Sequence, residues 1–172
     1  VTGVQTCALP IWLKGRRKPN IINSLYLDPN RLEQHNLHLQ HKYQLIEQSE
    51  VRYEEYHTED AELIIIAYGI TSRIARTAIE KARNAGRRIG MLRPITLWPF
   101  PSRAIRELAQ KTKAFLALEL SAGQMVEDVK LAVNGARPVY FYGRMGGVIP
   151  STQELYEQMI QVISGEGGKG DD

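Results

Sequence analysis

Glu62-Leu63-Ile64-Ile65-Ile66-Ala67-Tyr68-Gly69-Ile70-Thr71-Ser72-Arg73 is the stretch whose reading decides the fold. Leu63 to Tyr68 is apolar without alternation, the pattern of a strand covered on both faces, as in a parallel sheet. Gly69 can take backbone angles closed to other residues and so end the strand in a turn. Thr71 or Ser72 is placed to cap the helix that follows. That helix is expected from Ser72 to Ala85, with Ile74, Ala75, Ala78, Ile79 and Ala82 on one face and Gly86 as its stop.

Outward from this unit the alternation continues. Strands are expected over Arg88–Leu92, Ala114–Leu120 and Pro138–Tyr142. Helices are expected from Ser102, as cap, to Lys111, from the capping-box pair Ser121 and Gln124 to Val133, and from the second box, Ser151 and Glu154, to Ile163. Asn134-Gly135 stops the second of these, and Arg93 to Pro101, with three prolines, reads as a stiff loop. Strands alternating with helices mark βαβ units and a parallel, doubly wound α/β sheet. Upstream, Asp28-Pro29 starts a long polar helix to Ser49 with a narrow stripe of Leu32, Leu39, Tyr43 and Ile46, a connector lying on a neighbour. Val51–Tyr56 reads as an edge strand.

The 172 residues carry a net charge of +3, are 43% hydrophobic, and hold no apolar run long enough to span a bilayer. Arg16-Arg17-Lys18 is the only basic triplet and is read as solvated, so neither nucleic acid nor membrane is an expected partner. Residues 1–11, Val-Thr-Gly-Val-Gln-Thr-Cys-Ala-Leu-Pro-Ile, match the translation of a sequencing adapter codon by codon. They are read as non-native, and Cys7, the only cysteine, with them. The native chain then offers no thiol nucleophile and no cysteine-bound cluster, and is expected to be a C-terminal fragment.

Ligands of open α/β sheets favour the carboxyl ends of the strands, where helix N-termini attract anions. The candidate residues there are Tyr68, Gly69, Thr71, Arg73, Glu119, Ser121, Gly123, Gln124 and Arg144. If the strands ending at Tyr68 and Leu120 are neighbours, Gly69 and Ser121 flank the switch point. Each residue also has a plain structural reading: turn glycines, a helix cap, a solvated strand end at Glu119. Gly143-x-x-Gly146-Gly147 matches no dinucleotide fingerprint and no phosphate-binding Gly-Lys-Ser/Thr loop. His35, His38 and His41 lie three apart, so the outer two diverge by about 120° on a helix and one metal cannot use all three. Tyr43, Tyr53 and Tyr56 read as packing aromatics, and no Ser-His-Asp order appears.

Ser24-Leu25-Tyr26-Leu27, Ala67-Tyr68-Gly69, Arg93-Pro94-Ile95-Thr96-Leu97-Trp98-Pro99-Phe100-Pro101, Glu119-Leu120-Ser121-Ala122-Gly123-Gln124-Met125-Val126-Glu127-Asp128-Val129 and Phe141-Tyr142-Gly143-Arg144 carry a resemblance. From Asn20 to Met159 the chain resembles the α subunits of 2-oxoacid:ferredoxin oxidoreductases, and among them those acting on the branched-chain acid 2-ketoisovalerate (3-methyl-2-oxobutanoate). The resemblance implies a transketolase C-terminal-like domain: three layers, α/β/α, and a mostly parallel five-stranded sheet with one antiparallel edge strand. It implies a connector and edge strand over residues 12–57, the domain over 58–164 and a flexible tail over 165–172. The whole enzyme would decarboxylate a 2-oxoacid oxidatively to an acyl-CoA and reduce ferredoxin, using thiamine diphosphate, magnesium, iron–sulfur clusters and coenzyme A. None of these is expected on this chain, which would be a cytoplasmic assembly domain, inactive alone. Its partners would be the β subunit and the small iron–sulfur subunit in a hetero-oligomer, and ferredoxin through that complex. Two other readings stay open: a free-standing α/β module for a small molecule or nucleotide, and a wall of a coenzyme A or substrate passage at Gln124 and Arg144.

Overall fold

The computed structural model describes residues 25–165, which fall into two compact units divided between Leu45 and Ile46. The adapter match at 1–11, the polar segment up to residue 23 and the tail from 166 lie outside the described residues. In the first unit Asp28 starts helix α1 (Pro29–Ser49), its Oδ1 accepting the Asn30 N–H at 2.9 Å. No residue of α1 is buried; along the expected stripe Leu39 and Ile46 are half-buried. Tyr26 stacks on His35 with ring centroids 4.8 Å apart, a packing role for one of the three histidines.

The second unit holds β1 (Tyr53–Tyr56), β2 (Leu63–Ala67), α2 (Gly69–Asn84), β3 (Ile89–Pro94), α3 (Ser102–Ala109), β4 (Ala114–Glu119), α4 (Met125–Val133), β5 (Val139–Gly143) and α5 (Thr152–Ser164). The sheet order is β1-β3-β2-β4-β5, with β1 antiparallel to β3 and all other pairings parallel. Every residue of β2 is buried. Its even and odd positions serve different cores: Ile64 and Ile66 pack with α3 and α4, whereas Leu63, Ile65 and Ala67 pack with α2 and α5. Two apolar faces on one strand explain the unbroken Leu-Ile-Ile-Ile-Ala run. The three-layer α/β/α architecture with one antiparallel edge strand is thus as expected.

Several local expectations change. Gly69 has φ +60°, so the chain turns into α2 directly after Tyr68, ahead of either hydroxyl. Thr71 and Ser72 therefore cap nothing; they donate back to the carbonyls of Tyr68 (2.7 Å) and Gly69 (2.8 Å), three residues behind them. Ser102 is the first residue of α3 after Pro101, not its cap. The Ser121–Gln124 capping box does not form: α4 begins at Met125, and Gln124 makes no side-chain cap bond. The Ser151–Glu154 box forms in full, with Glu154 N–H donating to Ser151 Oγ at 3.1 Å and Ser151 N–H to Glu154 Oε2 at 3.3 Å. β3 runs on to Pro94, because β1 pairs with its far end, Tyr53 opposite Pro94. A proline is tolerated there because pairing with β2 has already ended at Ile66–Leu92, so Pro94 has no ladder partner on that side.

Candidate functional site

β2 and β4 are neighbours, paired from Leu63–Ala114 to Ala67–Leu118. β2 is followed by α2 on one face and leads to β3; β4 is followed by α4 on the other face and leads to β5. Connections leaving in opposite directions make the gap between β2 and β4 the switch point, flanked by Gly69 and Ser121 as expected.

The centre of this site is Glu119, the last residue of β4 and only 2% exposed. A carboxylate that deep in a protein needs partners, because burying it unpaired costs several kcal/mol. It has four. Its Oε1 accepts the Val126 N–H at 2.9 Å; its Oε2 accepts the N–H groups of Met125 (2.9 Å) and Gln124 (3.1 Å) and the Ser121 hydroxyl (3.1 Å). Three of the donors belong to the start of α4, whose first amide groups have no partner inside the helix and carry the positive end of its dipole. Glu119 is the cap that the sequence seemed to offer as Ser121 and Gln124. Its own carbonyl accepts the Arg144 N–H at 3.1 Å, so one residue joins the ends of β4 and β5 to the start of α4.

The remaining candidates divide into buried supports and exposed surface. Thr71 is buried and bonded to the chain behind it, and Tyr68 is half-buried against the α3–α4 core. Gly123 has φ +110° and lies beneath the Phe141 ring. Arg144 points to α5, pairing with Glu154 Oε1 at 3.1 Å. The Tyr142 hydroxyl donates to the same oxygen. That hydrogen bond holds the Glu154 carboxyl below the usual carboxylate range. Burial, followed by the bond to Glu154, pushes the Tyr142 phenol up. Gly69, Arg73 and Gln124 are exposed, and Arg73 has no ion pair among the described residues.

Sequence reasoning counted no apolar aliphatic side chain or tryptophan at this edge among the candidates. Ile70, Ile95, Leu97, Trp98, Leu120 and Met145 are each at least 40% exposed, and all follow the carboxyl ends of parallel strands. Val148 and Ile149, in the loop after β5, add to them. The signal was available: Leu120 directly follows the charged end of an apolar strand, and Leu97-Trp98 sits in a loop that its prolines keep out of helix and central strand. At the opposite edge the side chains are ionic. Glu62 pairs with both Arg88 and Lys113 (2.8 Å to the latter), and Arg83 pairs with Asp60.

The start of α4 does not fit a further anion such as a cofactor diphosphate. The anion-binding amides of α4 are filled by Glu119, and among the described residues no group of three or more His, Cys, Asp or Glu is placed to hold a metal ion. Among them, too, no helix is long and apolar enough to cross a membrane.

Residues 61–155 match the family model described as pyruvate:ferredoxin oxidoreductase core domain II. The chain is 48% identical over 147 residues to ketoisovalerate oxidoreductase subunit VorB of Methanothermobacter marburgensis, covering 86% of this chain and 41% of the relative. It is 35% identical over 103 residues to 2-oxoglutarate synthase subunit KorA of the same organism, covering 60% of this chain and 28% of the relative. The chain therefore spans about two fifths of the length of the VorB relative. Among solved structures, the 2-oxoglutarate:ferredoxin oxidoreductase from Magnetococcus marinus, with 2-oxoglutarate, coenzyme A and succinyl-CoA bound, superposes with a TM-score of 0.66 at 17% identity, over 80% of this chain and 24% of the other. A split-gene transketolase, an inactive β4 tetramer, superposes at 0.56 and 14% identity, over 85% of this chain and 46% of the other. At these identities the two structures speak for the fold alone.

Proposed function

Since this chain belongs to the pyruvate:ferredoxin oxidoreductase core domain II family, we propose that it is an assembly domain of a 2-oxoacid:ferredoxin oxidoreductase and performs no chemistry alone. The observation that carries this reading is the contrast between the two ends of the sheet. One end is closed by ion pairs, and the other exposes large apolar side chains after each of its four parallel strands. Exposed apolar patches rimmed by polar groups mark protein–protein contacts.

Residues 58–164 form the domain, 12–57 its connector and edge strand, and 165–172 a tail; residues 1–11 are foreign to it. Gly69, Arg73 and Gln124 contribute to the contact surface, while Tyr68, Thr71, Glu119, Ser121, Gly123 and Arg144 fix its shape. The whole enzyme carries thiamine diphosphate, magnesium, iron–sulfur clusters and coenzyme A on its other parts. It converts a branched-chain 2-oxoacid to its acyl-CoA in the cytoplasm and passes electrons to ferredoxin. The partners of this chain are the β subunit, the small iron–sulfur subunit and the rest of the α subunit. The resemblance to a subunit named for ketoisovalerate supports the branched-chain substrate.

The test is reconstitution with the remaining parts of such an enzyme, together with calorimetry on the chain alone. The chain is expected to join the complex and to give no heat with thiamine diphosphate or ATP. Tight binding of either by the chain alone, without association with the other parts, overturns the proposal in favour of a small-molecule module.

A further inference from the structure

The switch point of a doubly wound sheet is where an anionic ligand is usually taken up, on the amides of a helix N-terminus. Here that position is occupied by the protein. We propose that the start of α4 is a built anion cradle of the carboxylate class, and that Glu119 is its permanent, intramolecular ligand. Glu119 is thereby a positioning residue: it touches no substrate, but holds the Leu120–Gln124 loop at the apolar rim and closes the switch point to outside anions.

Three observations support this. The carboxylate is 2% exposed, so it sits inside the cradle rather than at its mouth. Each oxygen meets a backbone donor at 2.9 Å, Val126 N–H on Oε1 and Met125 N–H on Oε2, with Gln124 N–H and Ser121 Oγ, both at 3.1 Å from Oε2, completing the set. All these groups donate, so the cradle matches an acceptor-only ligand. Independently, the cradle wall requires a missing side chain. A Cβ at Gly143 would run into the Ser121 carbonyl and the Phe141 ring, so the loop carrying the hydroxyl donor is seated directly on β5.

The experiment removes the ligand and supplies it from solution. Glu119→Ala in the full chain deletes a fragment the size of acetate and leaves the donors facing a void. The variant is expected to unfold at a lower temperature than the wild type. Formate or acetate should then raise its midpoint saturably, whereas chloride at equal ionic strength and the bulkier pivalate should not. The wild type should respond to none of them. If small carboxylates and chloride act alike on the variant, or if the wild type responds as the variant does, the proposal is overturned. Should Glu119→Ala fail to fold, its refolding yield with and without formate gives the same reading. Glu119→Gln provides a second variant: it keeps the volume but sets an amide against the N–H donors. It should be destabilised and insensitive to formate, and wild-type stability in this variant refutes the cradle. These readouts use this chain alone, so their failure leaves the assembly reading untouched, and failed reconstitution leaves the cradle untouched.

Discussion

Replacing Glu119 with Gln changes one atom, and the environment decides what that costs. The amide turns a donor toward N–H groups that are themselves donors, leaving at least one buried amide without a partner. A buried unsatisfied donor costs about 1–3 kcal/mol, so Glu119→Gln is expected to lower unfolding free energy by about 2–3 kcal/mol in urea denaturation. Gly143 is a second residue at which one atom matters. Its added Cβ meets backbone, the Ser121 carbonyl, as well as the Phe141 ring. Gly143→Ala is therefore expected to cost about 1–3 kcal/mol by overpacking, measured the same way, although alanine is ordinarily the better strand residue. Both positions were visible in the sequence, Glu119 as a charge at the end of an apolar strand and Gly143 as the start of a glycine-bearing loop. Their meaning was not, because three of the four partners of Glu119 lie five to seven residues ahead, and the Ser121 carbonyl that crowds Gly143 lies in the loop after β4.

At the scale of elements, α5 is tied to β5 by the Tyr142–Glu154–Arg144 cluster, and this tie depends on pH. Glu154 is held below its ordinary value of 4.5 by the Tyr142 hydroxyl, so its contribution is complete above pH 4.5 and is lost as pH falls through the lowered value. Tyr142 is pushed above its ordinary 10.0 by burial and by Glu154, so its contribution is complete below pH 10 and is lost as pH rises through the raised value. Tyr142→Phe should reduce thermal stability at neutral pH. The gap to the wild type should narrow below pH 4.5 and again above pH 10; a gap constant across that range would show that the hydroxyl does not titrate with Glu154. Elements themselves were legible where one local signal determined them. The Ser151–Glu154 box, the Asp28-Pro29 start and the buried β2 run are such cases. Helix starts were misplaced where the structure used something other than a local hydroxyl: a left-handed glycine as the first residue of α2, a carboxylate from the preceding strand before α4. The extension of β3 to Pro94 depended on β1 lying beside it, a pairing about 40 residues distant that no local pattern encodes.

For the whole molecule, the opposed chemistry of the two sheet ends sets a direction. Ion pairs such as Glu62–Arg88 and Glu62–Lys113 add little stability when exposed, but they keep the amino end compatible with water. The carboxyl end offers Trp98, Leu97, Leu120 and Met145 to solvent. Tryptophan is among the residues that most often carry binding energy at protein interfaces. Trp98 is 54% exposed on a proline-stiffened loop and so loses little freedom when a partner covers it. With Trp12, the only other tryptophan, replaced by Phe, the fluorescence of Trp98 reports on that loop. In the isolated chain its emission should be red-shifted and open to acrylamide quenching. On addition of the remaining enzyme parts it should shift to the blue and become protected. Trp98→Ala should weaken that association by about 2 kcal/mol, roughly thirtyfold. Charge reversal at the ionic end, Glu62→Lys, should have the converse signature, with stability slightly lowered and association intact. If Glu62→Lys weakens association and Trp98→Ala does not, the contact surface lies at the other end of the sheet.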